Sequence, residues 1–133
     1  MSPQEGPSAA PDPEAVLAAD PRLRESVELF NAAAWYPCHD GFEALWHETD
    51  GPMRAVLQGI LQIAVAHIHL ERGNLHGATV LIGEGLGRLS DAGDRALGLD
   101  LGLLRLRAAA RLAALQAGQE ATDLPIPRLE PAT

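Results

Sequence analysis

At 133 residues and 47% hydrophobic content, the chain has the length of one domain and enough apolar side chains for a core of its own. Eighteen acidic residues against ten basic ones give a net charge of -8, and the ten are all arginine with no basic run, which argues against a nucleic-acid or anionic-membrane surface. A single cysteine, Cys38, excludes an internal disulfide and any multi-cysteine zinc site; with no basic-then-apolar leader, and with the longest apolar run near Ile60 to Ala66 broken by Gln62, a soluble cytoplasmic protein without a membrane span is expected.

Residues 1–19 hold four of the ten prolines among Ser, Gly and Ala, and are expected to form a flexible arm outside the fold. Asp20 before Pro21 is an N-cap and first-turn pair, and Leu23, Val27, Phe30 and Ala34 recur at helical spacing, which predicts a first helix over 21–34. Pro37 closes that region. Phe42 and Trp46, one turn apart, predict a short second helix over His39–Glu48, stopped by Gly51 and Pro52. The third helix, Pro52 to Arg72, is the central one, because Met53, Val56, Leu57, Ile60, Ile63, Ala64 and Ile68 cover a broad apolar arc.

Gly73 offers the left-handed residue that ends this helix and Asn74 an immediate N-cap, so a fourth helix over 75–89 turns back on the third as an antiparallel hairpin. Ser90 to Leu99 reads as a connection. Asp100 caps a fifth helix reaching Ala117, with Leu101, Leu104, Ala108, Leu112 and Leu115 as its core face. From Gln119 onward Pro125, Pro127 and Pro131 predict an extended tail, with Leu124 and Ile126 as its contacts with the bundle. No strand pattern, repeat or phosphate-cradling glycine loop is visible. The expected fold is all-α: a compact bundle or array of about five helices with a central helix hairpin over residues 20–118, between a flexible N-terminal arm (1–19) and an extended Pro-rich tail (119–133).

Polar side chains interrupt the apolar pattern of the second and third helices. At about 100° per residue, Gln58, Gln62, His69 and Arg72 share one stripe of the third helix with Arg54. In the second, His39, Glu43 and Trp46 share a face at i, i+4 and i+7. Each such group left unpaired in a core costs roughly 1–3 kcal/mol, so they are expected to converge into one buried cluster. Three uses stay open. The cluster could be a structural network in which His39 and Glu43 orient each other. It could hold a ligand or a divalent metal, with His39, Glu43 and His69 as candidate ligands. It could also act as a metal-dependent hydrolase through the same three residues. A binding or interaction module is the leading functional expectation, the hydrolase the alternative.

His67, on the apolar side of the third helix, reads as a core or interface histidine, and Trp35, Phe42 and Trp46 as core anchors. Cys38 reads as a small buried hydrophobe, and His47 and His76 as solvated. Four short partner helices leave part of the third helix uncovered around Met53 and His67, so a homodimer is expected.

In order and spacing, Phe30-Asn31, His39-Asp40, Glu43, Trp46, Leu57-Gln58-Gly59 with Gln62, His69, and Arg72-Gly73-Asn74 with Gly77-Ala78 resemble the bacterial and archaeal domain of unknown function 309 family. The resemblance covers about residues 30–89. It implies an all-helical domain of about five helices, and the matches at His39, Glu43, Gln58, Gln62 and His69 support one shared site; with Asp40, Trp46, Arg72 and Asn74 these make up the candidate polar cluster. It implies no activity. The chain departs from the family pattern at Ala33, where Gly is common, at Pro37, where an acidic residue is common, and at Asp40, where Glu is usual and whose shorter reach weakens it as a ligand.

Overall fold

Caps and stops divide the chain. In the computed structural model, which describes residues 11–120 and 123–133, six helices and one small hairpin follow in order: α1 (Pro13–Ala18), α2 (Pro21–Asn31), α3 (Trp35–Glu48), α4 (Pro52–Glu71), α5 (Leu75–Leu89), β1 (Arg95–Ala96), β2 (Leu99–Asp100) and α6 (Leu101–Gln116). The fold is all-α, as expected. Asp20, Asn74 and Asp100 each accept a backbone N–H of the first turn of α2, α5 and α6, at 2.9 Å. Gly73, at φ 75, supplies the left-handed turn between α4 and α5.

Several boundaries differ from the sequence reading. Residues 1–10 of the expected arm lie outside the described residues, but Pro13–Ala18 is a helix capped by Asp12, with Leu17 buried in the core. The arm is therefore structured from residue 13 on. α2 stops at Asn31 rather than Ala34 because Ala33 adopts the left-handed conformation, φ 57, and Ala34 N–H returns to the Leu29 carbonyl. α3 starts at Trp35, four residues early. Pro37 does not end the preceding region: it sits in the first turn of α3, where backbone N–H groups have no helical partner to lose.

The expected connection over 90–99 contains the β1–β2 pair, turned by Leu97 and Gly98, both at positive φ. Burial of Leu97 in the core holds a conformation that leucine alone disfavours. The tail also belongs to the fold. Its buried anchors are Pro127 and Leu129; of the two expected contacts Leu124 is half-buried and its carbonyl accepts from Arg111 of α6, whereas Ile126 faces solvent because an extended chain alternates sides. Asn31 grips this strand on both hydrogen-bonding atoms, donating to the Leu129 carbonyl at 2.9 Å and accepting its N–H at 2.7 Å.

α4 is the centre. It packs against α3 on one side and α5 on the other, and Phe30, Phe42, Leu57, Ile60, Ile63, Ile82, Leu89, Leu101, Leu104 and Leu129 are fully buried around it. Each contributes about 1.5–3 kcal/mol by leaving water. The α4–α5 approach depends on two glycines: a Cβ on Gly59 would lie 2.9 Å from the Gly85 carbonyl oxygen, and one on Gly85 2.9 Å from that of Gly59. By length and composition, at a mean hydropathy of 1.2, α4 could cross a membrane despite Gln62; here 56% of that window is buried, as in a core helix. Of the apolar surface expected to be left over near Met53 and His67, the part at His67 is buried, while Met53 packs on the core and stays half-buried.

Candidate functional site

α3 and α4 run side by side in opposite directions, and two arginines mark the seam between their polar stripes. At one end Arg72, after α4, lies over the ring of Tyr36 in the first turn of α3, 5.4 Å from its centroid. At the other Arg54, in the first turn of α4, lies 4.1 Å from the Trp46 ring near the end of α3 and donates to the carbonyls of Trp46 at 2.9 Å and Thr49 at 3.2 Å. Because Tyr36, His39, Asp40 and Glu43 follow one face of α3, and Arg54, Gln58, Gln62, His69 and Arg72 one face of α4, these contacts tie the two stripes into a common face.

Within the seam the polar groups form separate small sets. His39 carries a carboxylate at each ring nitrogen: Nδ1 donates to Asp40 at 3.1 Å, and Nε2 lies 3.6 Å from Glu43, one turn on. His69 accepts from the Asn74 side chain at 3.1 Å, beside the α5 cap. Gln62 donates to Glu84 of α5 at 3.2 Å. Gln58 is half-buried, between solvent and core.

Two expectations are corrected here. The cluster is not buried: the side chains of His39, Glu43 and Asp40 are 29%, 46% and 80% exposed, because α3 turns Cys38, Phe42 and Leu45 inward and the polar stripe outward. Nor do His39, Glu43 and His69 form a metal triad. Among the described residues no group of three or more His, Cys, Asp or Glu side chains is placed to hold one ion, and His69 is engaged with Asn74 instead.

The seam nevertheless has unused hydrogen-bonding capacity. Trp46 Nε1, a donor, and Gln62 Oε1, an acceptor, are both shielded from solvent without a protein partner. Arg54 is occupied on the Trp46 ring and two carbonyls, whereas Arg72 is exposed beside Tyr36; the charges facing outward from α3 in the seam are the carboxylates of Asp40 and Glu43.

The buried polar residues are others: Ser26, His67 and Arg111. His67 is a core residue, as expected, with its ring stacked on Trp35 at 4.4 Å and its Nδ1–H on the Ile63 carbonyl at 2.7 Å. Burial pushes its pKa down to about 4. Cys38 is fully buried and its thiol is pushed up to about 12, which leaves no reactive thiolate near neutral pH.

Tyr36 and Glu84 were missed as partners of the stripe. Tyr36 falls one turn before His39 and Asp40 on the same face, a spacing that could have flagged it; Glu84 lies on another helix, and no local pattern points to it. Arg111 was overlooked because Leu112 was given the core position, although Leu104, Ala108, Arg111 and Leu115 follow the spacing i, i+4, i+7, i+11. In α6 Arg111 is the buried one and Leu112 only half-buried.

Residues 23–81 match the family described as Domain of unknown function (DUF309). That span runs from α2 into α5 and contains every residue of the seam on α3 and α4. Among curated proteins none matches the chain.

Proposed function

We propose that this chain, whose residues 23–81 belong to the domain of unknown function 309 family, is a binding module that uses the α3–α4 seam, with His39, Asp40 and Glu43 as its exposed recognition groups. One observation carries the reading. His39, Asp40 and Glu43 touch water, so folding does not require them to satisfy one another, yet two carboxylates stand on one imidazole with no arginine partner among the described residues. A solvated helix face is polar as a rule; two carboxylates gathered on one imidazole are what a cation from outside would complete.

The chemistry of the seam suits a cationic partner. Asp40 and Glu43 flank one imidazole, and among the described residues no arginine pairs with either. An amine or a basic peptide would find two carboxylates and an aromatic edge. Chemical-shift mapping with spermidine and with an arginine-rich peptide tests this. The expected result is a saturable response on α3 and α4, lost in Glu43→Gln without loss of fold. A response scattered over the whole acidic surface, or one unchanged in Glu43→Gln, would overturn it.

A further inference from the structure

Away from the seam, the end of α4, the start of α5 and the end of α6 line an open cleft of about 460 Å³, within the size range of small-molecule sites. Leu70, Leu75 and Leu115 give it apolar walls, and Arg111 lines it, with Gly118 and Glu120 at the α6 end. Arg111 is only 8% exposed. Its Nη2 reaches the Leu124 carbonyl at 3.3 Å, its Nε is buried without a partner, and among the described residues no carboxylate pairs with it.

Arginine keeps its proton inside proteins, so this is a positive charge removed from water with, among the described residues, one carbonyl as compensation. A counter-charge brought from outside would meet a guanidinium already desolvated and fixed in place. The guanidinium fork matches a carboxylate in shape. His67, which feels the Arg111 charge, is held neutral by burial and adds no second cation. One cation and an acidic residue near the opening favour a ligand with a single negative charge.

We infer that this cleft binds a small monoanionic carboxylate on a short aliphatic chain, with its oxygens on the Arg111 guanidinium and its carbons against Leu70, Leu75 and Leu115. Arg111 and Leu115 lie beyond residue 81, so α6 contributes what the family-matched segment lacks. The site shares no residue with the seam, and either can fail without the other.

Titration calorimetry on the full chain with hexanoate tests the inference, with hexanol and hexylamine as neutral and cationic probes of the same length. Hexanoate should bind saturably, and the two others about tenfold more weakly or worse. Arg111→Gln should weaken hexanoate by about tenfold or more. Leu75→Ser changes an exposed wall residue that the core does not need. It should weaken hexanoate severalfold while leaving acetate unchanged, and so keeps the test decisive if the Arg111 variant fails to fold. Absence of saturable hexanoate binding, equal binding of hexanol, or indifference to Leu75→Ser overturns the inference. So does hexanoate binding that appears only in Glu120→Gln, because the chain's own carboxylate would then be the occupant of Arg111.

Discussion

His67 and His69 stand two residues apart on α4 and meet opposite surroundings. The ring of His67 is sealed against Trp35, bonded to a backbone carbonyl and kept neutral; that of His69 lies at the surface, paired with Asn74. About 200° of helical rotation separates them. On the buried face a polar group is a structural commitment, because packing and hydrogen bonds must hold it. On the seam face it costs little and is available to a partner. Residue type alone does not distinguish the two; the face does.

The largest difference is expected from the buried face. Trp35→Ala removes the plate on which His67 stacks and the edge that meets Phe30 at 5.1 Å, and should cost about 3–5 kcal/mol in denaturant unfolding. A loss below about 1 kcal/mol would mean that packing does not hold His67.

Acid should expose the same asymmetry. The folded pKa of His67 lies near 4, below the ordinary 6.5, so the unfolded chain binds the extra proton first. Stability should be complete above about pH 6.5 and fall as pH drops through 4, by up to roughly 3 kcal/mol. The Arg22 contacts hold Asp20 and Glu48 below the usual carboxylate range, so their contribution is lost only at lower pH. His67→Gln should flatten the slope between pH 6.5 and 4. A slope that survives this change would have another origin.

A smaller gain is expected at the corner that aims Trp35 inward. Ala33 holds a left-handed conformation that glycine adopts freely, and Ala33→Gly should stabilise the protein by about 0.5–1 kcal/mol, measured as a rise in melting temperature. Destabilisation would show that the Ala33 methyl packs usefully.

The seam should be nearly silent in stability. His39→Ala, Glu43→Gln and Glu43→Ala should each stay within about 0.5 kcal/mol of the parent. A loss of about 1–3 kcal/mol confined to Glu43→Ala would restore the reading of Glu43 as part of a structural network.

Much of this was legible in the residues. Asp20, Asn74 and Asp100 announced their helices, Gly73 the turn, and the periodicity of α4 its central place, because these signals act within one or two turns of chain. The α3–α4 stripes were legible as stripes, but their exposure was not: periodicity separates one face from another without saying how much surface the neighbours cover. The β1–β2 pair and the Asn31 clamp depend on tertiary contacts that override weak local preference, Leu97 at positive φ being the clearest case. The buried role of Arg111 contradicted its usual place at the surface, and a leucine stood beside it to take the core position instead.

The clamp also orders events in time. Asn31 is made early and Leu129 is made after every helix it helps to close, 98 positions later. During synthesis Asn31 therefore waits for its partner while most of the helical chain is made. Long-range pairing of this kind forms late. A chain cut after Gln119 would leave both hydrogen-bonding atoms of Asn31 without Leu129 and uncover the core surface that Leu129 fills.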